Sequence, residues 1–421
     1  SSLESSLVLS AVMNPSLYNY LESLDAVFPG PDLTLKKKIT LKVSDYRSAL
    51  IQGKYLAKKG LWISEFRIES GLNCGGHAFP TKGYLLGPVL EEFRENRDEL
   101  AQSLFGLFRD ALLAKGKPCP VQAPPIRITV QGGVGTAEEH RFLLEQYGMD
   151  SVGWGTPFLL VPEVVNVDRK TLDMLCEARE EDLYLSDISP LGIPFNNLRG
   201  NTKDLEKEEY IRRDTPGNPC PKRYAALSSE YGEPTLCTAS RKYQKIKIGE
   251  LAATTTGADF QAAYEQTTNK SCICVGLGTS ALIVNNLDTR VEKEGVSICP
   301  GPNMAYFSDE LSLESIVGHI YGKRNVIRRT DRPHMFLKEL SLYVDYLRKT
   351  VKENPVPWSG KQTEYFREFR DNLLSGIQYY RELVRTTVSK LTDSPGPMLA
   401  ELSRQERHIR KIDLDRGDEK D

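Results

Sequence analysis

The chain has 421 residues, of which 40% are hydrophobic, and a formal net charge of −2, so it can bury a large core. Basic residues are not in excess, which argues against nucleic-acid binding, and no apolar run reaches the roughly 18 residues of a membrane-spanning helix. Eight cysteines are too sparse for a disulfide scaffold and predict reduced thiols in a cytoplasmic protein, some of them on a metal.

Strand-like and helix-like patterns alternate in the first part of the chain. In order, they are an apolar run at 7–13, a helical patch at 18–24, a strand at 36–43, a helical pattern at 44–58, a strand at 61–68 and one long amphipathic helix at 88–115. Such alternation predicts successive βα units around a parallel sheet. In barrels built from these units, the chemistry lies just after the strands, at their carboxyl ends.

A glycine turn that carries a histidine follows the strand at 61–68. Gly75 and Gly76 let the backbone come close to a flat ligand, and His77 titrates in the range that suits a general base. The alternative interpretation is a turn histidine whose ring is satisfied by a backbone carbonyl. Cys74, beside it, is interpreted as a small buried side chain rather than a reactive thiol.

A second glycine turn, at 131–135, follows a strand at 126–130. Thr136 and Glu139 come next, and their spacing is that of a capping box at the start of a helix. Because the backbone N–H groups at such a start attract anions, the turn is a candidate phosphate site.

A third strand end with small residues completes this stretch. The helix is predicted to run to residue 148, and the strand at 150–154 that follows it ends in Gly155 and Thr156. The loops after neighbouring barrel strands often bind one phosphate together, so two such turns in succession favour phosphate binding more than either turn alone.

The order of these motifs resembles the C-terminal half of the nitronate monooxygenase family, the 2-nitropropane dioxygenase-like FMN barrels, over roughly residues 36 to 163. The resemblance implies a TIM (β/α)₈ barrel, of which this chain holds the C-terminal part, with FMN at the carboxyl ends of the strands. It places His77 beside the flavin as the catalytic residue and the FMN phosphate at 132–134. The cofactor-binding residues that it implies are Gly75, Gly76, Gln131, Gly132, Gly133, Val134, Gly155 and Thr156.

Three features depart from the pattern of that family. Asn73 stands where the family has an acidic residue, and Cys74 stands where it has alanine, which predicts a different substrate chemistry. Only 74 residues precede Gly75, whereas the family places about half a barrel there. We therefore expect three or four N-terminal strands to come from residues cut away or from another polypeptide.

Residues 164–332 do not fit the family and are predicted to form an irregular, cysteine-rich module. Cys220, Cys237, Cys272 and Cys274 are the candidate ligands of a [4Fe–4S] cluster, with Cys299 as a substitute for one of them, because turns with proline or glycine aim backbone N–H groups at the sulfurs. Zinc and unligated thiols remain alternatives, although no CxxC pair supports a zinc ribbon. The run at 276–280 is interpreted as a C-cap and turn rather than as the start of a helix.

From residue 333 onward the pattern is helical. Apolar residues recur at helical spacing over 335–352 and 363–391, and the proline-containing segment 355–358 between them predicts a helical hairpin. Residues 404–421 carry alternating charges and predict a solvated helix that frays into a tail.

The sequence therefore predicts a flavin-dependent oxidoreductase with three parts: barrel strands at 1–163, the cysteine-rich module at 164–332, and the hairpin and tail at 333–421. In the monooxygenase-like mechanism that the resemblance implies, FMN accepts hydride or an electron pair from a small-molecule substrate and His77 exchanges the proton. A cluster would pass single electrons between the flavin and an electron-transfer partner.

Two other functions stay open at this stage. One is an iron–sulfur enzyme without flavin, in which the barrel turns hold a phosphate-bearing substrate. The other is a non-catalytic subunit that completes the barrel of another chain and uses its helical hairpin for assembly.

Overall fold

The computed structural model describes residues 3–219, 222–354, 356–391 and 395–414, and at 388–391 it describes the backbone alone. Over these residues the chain is an α/β protein with a five-stranded parallel sheet. The strands are β1 (Ser5–Leu9), β2 (Lys37–Val43), β3 (Ile63–Glu69), β4 (Arg127–Gln131), β5 (Ser151–Gly153), β6 (Leu183–Ser186) and β7 (Phe195–Leu198), of which β6 and β7 form a separate antiparallel pair.

Fourteen α-helices occur in the described residues. They are α1 (Pro15–Glu22), α2 (Tyr46–Ala57), α3 (Leu86–Glu95), α4 (Arg97–Ala114), α5 (Ala137–Tyr147), α6 (Arg169–Glu177), α7 (Thr202–Arg212), α8 (Arg241–Thr254), α9 (Gly257–Asn269), α10 (Gly276–Val284), α11 (Leu313–Ile320), α12 (Met335–Glu353), α13 (Gly360–Leu391) and α14 (Pro395–Arg410). Of the helices in this part of the chain, none is both long and apolar enough to cross a membrane.

The chain divides into two compact units. The sheet unit comprises Ser1–Leu72, Pro80–Gly153 and Pro333–Asp421, and the helical unit comprises Asn73–Phe79 and Trp154–Arg332. The chain therefore leaves the sheet unit after β5 and returns to it with α12.

The strands of the sheet unit lie in the order in which they occur in the sequence, β1-β2-β3-β4-β5, and every neighbouring pair is parallel. In the register of this sheet Leu41 lies beside Phe66, and Phe66 lies beside Ile128. A parallel sheet whose strand order follows the sequence is compatible with part of an α/β barrel.

One face of this sheet is apolar and packs on helices. Its side chains are Leu9, Ile39, Leu41, Val43, Phe66, Ile68, Ile128 and Val130, all buried. Gly53 of α2 lies over this face, where a side chain would come within 3.4 Å of the Phe66 ring and 3.0 Å of Leu104. The absence of a side chain at Gly53 thus lets α2 pack closely on the sheet.

The opposite face of the sheet is polar. It carries Thr40, Lys42, Glu65, Arg67, Glu69, Thr129 and Gln131. Lys42 pairs with Glu69 at 3.0 Å, Arg67 pairs with Glu65 at 2.8 Å, and Thr129 Oγ1 donates to Glu65 at 2.7 Å. The interior of a typical (β/α)₈ barrel is instead filled by bulky branched side chains, so the polar face differs from that pattern.

Most predicted elements of the sheet unit are observed within one to three residues. The apolar run at 7–13 corresponds to β1 at Ser5–Leu9, and the helix predicted from residue 404 onward begins at Pro395. The single helix predicted over 88–115 is two helices, because the chain bends at Asn96. The Asn96 side chain donates to the Glu92 carbonyl at 2.8 Å, a local bond that competes with regular helix geometry.

In the helical unit, the prediction of an irregular module was wrong as to secondary structure. Within 164–219 and 222–332 the chain forms six α-helices and the β6–β7 hairpin. Several of these helices begin at a side-chain cap, such as Asn201 for α7 and Ser240 for α8, rather than on a clear apolar stripe. The reading of 276–280 as a C-cap was also wrong, since α10 begins at Gly276.

The C-terminal helices complete the sheet unit. The predicted hairpin consists of α12 and α13. A third helix, α14, follows it, and its residues Met398, Leu402 and Ile409 are buried. The Phe336 ring of α12 stacks on Tyr380 of α13 with 4.9 Å between centroids. Part of the predicted charged tail, residues 415–421, lies outside the described residues.

Candidate functional site

Three neighbouring strands of the sheet unit each run into a glycine-containing segment. Because β3, β4 and β5 are adjacent and parallel, the segments that follow them all begin at the carboxyl edge of the sheet. The pairing of β3 with β4 continues one residue further, where Ser70 N–H donates to the Gln131 carbonyl at 3.1 Å. After β4, Gly132 and Gly133 take φ values of +105° and +81°, which favour glycine.

The N-terminus of α5 is capped, but not quite as the sequence predicts. Thr136 Oγ1 accepts from the backbone N–H of Glu139 at 3.2 Å, as expected for a capping box. The Glu139 carboxylate, however, accepts from Gly135 N–H at 2.8 Å and from Met335 N–H at 2.7 Å. A carboxylate therefore already binds the Gly135 amide.

The predicted cofactor residue Gln131 belongs to the polar face of the sheet. Its side-chain amide donates to Glu69, and Glu69 in turn pairs with Lys42 at 3.0 Å. Glu69 and Lys42 were missed by the sequence reading. The alternation of charged and apolar residues along β2 and β3 is the signal that would have indicated them.

In the helical unit, the loop that carries His77 pairs with Pro194 and the first residues of β7. Ala78 N–H donates to the Pro194 carbonyl at 2.8 Å, and Asn196 N–H donates to the Gly76 carbonyl at 2.9 Å. The Asn196 side chain also donates to the Cys74 carbonyl at 2.6 Å. These bonds fix the backbone on both sides of His77.

The imidazole of His77 is half-buried and hydrogen-bonded to a side chain. Its Nε2 lies 2.8 Å from the hydroxyl of Ser189, and its ring meets the Phe195 ring edge-on at 5.1 Å. The alternative reading of a bond to a backbone carbonyl is thus replaced by a bond to Ser189, a residue that no motif indicated. Burial lowers the pKa of His77, so the ring is neutral at pH 7.

Gly75 and Gly76, the predicted glycines of this loop, pack closely against residues 299–301. A side chain on Gly75 would lie 2.6 Å from the Cys299 carbonyl, and Gly76 N–H donates to the same carbonyl at 3.1 Å. Thr156 Oγ1 accepts from Gly301 N–H at 3.1 Å, whereas a side chain on Gly155 would meet nothing within 4 Å. The structure thus brings Gly75, Gly76 and Thr156 to one loop, at 299–301.

Two of the predicted cluster ligands line one cavity of the helical unit. Cys272 and Cys274 share it with Pro219 and Lys222, the described residues on either side of 220–221, and with Lys203. Lys222 pairs with Glu292, and the buried Lys203 pairs with Glu206.

The other predicted ligands lie elsewhere or outside the description. Cys237 is buried among Ala225 and Ala239. Cys299 lies against the His77 loop, where burial raises the pKa of its thiol. In the described residues, which leave out Cys220, no three histidine, cysteine, aspartate or glutamate side chains are arranged to hold a metal ion.

No protein-family model fits the chain, and no curated protein matches it.

Proposed function

We propose that this protein is an FMN-dependent oxidoreductase of the nitronate monooxygenase-like type, and that its sheet is the C-terminal part of a (β/α)₈ barrel. The observation that carries the proposal is the row of three neighbouring parallel strands, each followed by a glycine-containing segment at the carboxyl edge of the sheet. Barrels of this type place their active sites at that edge.

The turn after β4 fits the phosphate of the cofactor in part. Gly132 and Gly133 have positive φ values, which favour glycine, and they precede the capped start of α5. Their backbone amides and that of Val134 therefore suit an anion. At Gly135 the backbone amide already donates to the Glu139 carboxylate, whose negative charge would repel a phosphate at that position. As the resemblance implies, we assign the phosphate to the turn at 132–134.

The bound flavin would supply the redox chemistry, because it accepts a hydride or an electron pair. The contribution of the chain is placement and proton handling. His77, neutral at pH 7 because burial lowers its pKa, is the group that would exchange a proton or hydrogen-bond with the substrate.

The cavity lined by Cys272 and Cys274 supports the proposal of a [4Fe–4S] cluster in the same protein. Cys272 and Cys274 line it, together with Pro219 and Lys222. Lys203 and Lys222 line the same cavity, and each is paired with a glutamate. Cys237, the fourth ligand predicted from the sequence, does not line this cavity and packs with Ala225 and Ala239 instead. A cluster held by the cysteines would exchange single electrons with a partner.

The test is the absorption spectrum of protein purified without oxygen, combined with flavin, iron and sulfide analysis. We expect free FMN to be extractable and iron to be close to four per chain, as a [4Fe–4S] cluster requires. A colourless, iron-free protein would contradict both cofactors and leave a non-catalytic subunit as the better account. Iron without flavin would favour the iron–sulfur enzyme that uses a phosphate-bearing substrate.

Single substitutions separate the two cofactors. We expect Gly133→Asp to abolish flavin binding and keep the iron, because it puts a carboxylate where the phosphate would lie. The matched control is Gly148→Asp, at the other end of α5, where glycine also has a positive φ of +62°. We expect Cys272→Ser to lose iron and keep flavin. Equal flavin loss in both glycine variants would count against the phosphate assignment.

A further inference from the structure

The hydroxyl of Ser189 is completely buried and touches two groups. Leu191 N–H donates to its oxygen at 3.2 Å, and Nε2 of His77 lies 2.8 Å from the same oxygen. An amide N–H can only donate, so the serine oxygen is the acceptor in the first contact. The second contact decides where the hydroxyl hydrogen points.

A buried hydroxyl hydrogen without an acceptor would cost about 1–3 kcal/mol. In the described part of the chain, Nε2 of His77 is the acceptor within hydrogen-bond distance of Ser189 Oγ. A neutral imidazole has one nitrogen that accepts and one that donates, so a proton received from serine at Nε2 leaves the ring proton on Nδ1.

We infer that Ser189 donates its hydroxyl hydrogen to Nε2 of His77 and holds the resting imidazole as the Nδ1–H tautomer. His77 then meets its ligand as a hydrogen-bond donor, and the ligand is a small molecule with an acceptor oxygen such as a carbonyl. The ligand half of this inference rests on the proposed function, whereas the tautomer rests on the geometry alone. Ser189 is a positioning residue, because it acts through His77.

The surroundings of His77 agree with this orientation. The backbone bonds around Gly76 and Ala78 fix the loop, and the Phe195 ring holds the imidazole edge-on. No protein group of the described ranges hydrogen-bonds Nδ1. That nitrogen is therefore the one that a ligand would contact.

Two other histidines have the opposite arrangement and serve as internal references. Nδ1 of His319 accepts from Val326 N–H at 3.3 Å, and Nδ1 of His334 accepts from Phe336 N–H at 3.2 Å. Both rings therefore carry the proton on Nε2 when neutral. The chain has five histidines, so their signals can be assigned one at a time by substitution.

The experiment is long-range proton–nitrogen correlation NMR on the full chain labelled with ¹⁵N-histidine, at a pH where the rings are neutral. We expect a protonated Nδ1 for His77 and a protonated Nε2 for His319 and His334. In Ser189→Ala the His77 signal should shift to the Nε2–H form. In Ser186→Ala, which removes another buried hydroxyl that donates to the Phe195 carbonyl at 2.8 Å, it should stay unchanged.

Protonation of neutral His77 at Nε2 in the wild-type chain would overturn the inference. This measurement uses the wild-type protein, so it does not depend on whether Ser189→Ala folds. The same tautomer in wild type and Ser189→Ala would also overturn it. The outcome is separable from the proposed function because the spectrum needs no flavin. A colourless protein whose His77 is protonated at Nδ1 would support the tautomer and contradict the proposed oxidoreductase. A flavoprotein whose His77 is protonated at Nε2 would support the oxidoreductase and contradict the tautomer.

Discussion

At the scale of single residues, Glu339 is a buried carboxyl group of the sheet unit with a raised pKa. It lies on α12, is almost completely buried, and accepts from Ser70 Oγ at 2.5 Å and from Leu86 N–H at 2.8 Å. Burial raises its pKa from 4.5 to about 7, although bonds from Ser70, Leu86 and Tyr380 oppose the shift. The carboxyl thus titrates near neutral pH in the folded protein and near pH 4.5 in the unfolded chain.

This difference predicts how stability depends on pH. Between pH 4.5 and 7 the unfolded chain has lost the proton that folded Glu339 still holds, so the free energy of unfolding falls as pH rises and levels off above pH 7. Glu339→Gln, which is neutral throughout, removes that fall. We expect the difference in free energy of unfolding between variant and wild type to grow by up to about 3 kcal/mol from pH 4.5 to 8.

Urea unfolding at several pH values measures this difference. Glu353→Gln is the control, because Glu353 lies on the same helix with 59% of its side chain exposed, and it should give no such trend. A constant difference between Glu339→Gln and wild type across the range would show that the carboxyl does not titrate as described.

At the scale of elements, the sheet has two different faces. All-parallel sheets usually carry apolar residues on both faces, because helices cover both. Here the face with Leu41 and Phe66 is apolar, and the other face pairs its charges, Lys42 with Glu69 on the neighbouring strand and Arg67 with Glu65 on its own strand. The charged face satisfies its polar groups within the sheet, so it does not depend on apolar cover.

Adjacent residues on opposite faces test this arrangement. Leu41→Ala removes a fully buried side chain and should lower the free energy of unfolding by about 2–5 kcal/mol. Lys42→Ala breaks a partly exposed ion pair and should cost less than about 1 kcal/mol. Urea unfolding of the two variants checks the order, and a larger loss for Lys42→Ala would contradict the assignment of the faces.

Sequence patterns predicted the elements of the sheet unit because each pattern is local. The apolar run at 126–130, the capping residue Thr136 and the left-handed Gly148 mark β4 and both ends of α5 without reference to the rest of the chain. In the helical unit the same reasoning failed. Helix α7 has no clear apolar stripe, and its start is capped by the Asn201 side chain.

The candidate site was predictable only in part, for a similar reason. Gly75, Gly76 and His77 form a recognisable turn, but their partners Ser189 and Cys299 come from more than 100 residues further along the chain. A hydrogen bond between distant residues leaves no periodicity or spacing in the sequence. The bond that orients His77 could therefore be found only in the structure.

At the scale of the whole molecule, the sheet unit is assembled from distant parts of the chain. The rings of Phe142 and Tyr147 in α5 meet the ring of Phe336 in α12, at 6.4 and 6.3 Å between centroids. The Glu139 carboxylate also binds the first amide of α12. The amphipathic pattern of α12 predicted a buried face but could not tell which surface it covers.

Two substitutions test whether each unit responds to its own core. Phe336→Ala removes a fully buried ring of the sheet unit and should cost about 3–5 kcal/mol. Phe307→Ala does the same in the helical unit, where Phe307 packs with Leu160 and Ile316. In amide hydrogen exchange we expect the first to speed exchange in β4 and α5, and the second in α6 and α11. The reverse pattern would contradict the division into these units.

The interrupted path of the chain has a consequence for biosynthesis. A ribosome that has completed β5 must add about 180 further residues before α12 emerges, which takes roughly 10 to 40 seconds. During that interval Glu139 and the rings of α5 lack their partners on α12. The nascent sheet is then open to chaperones and proteases until α12 arrives.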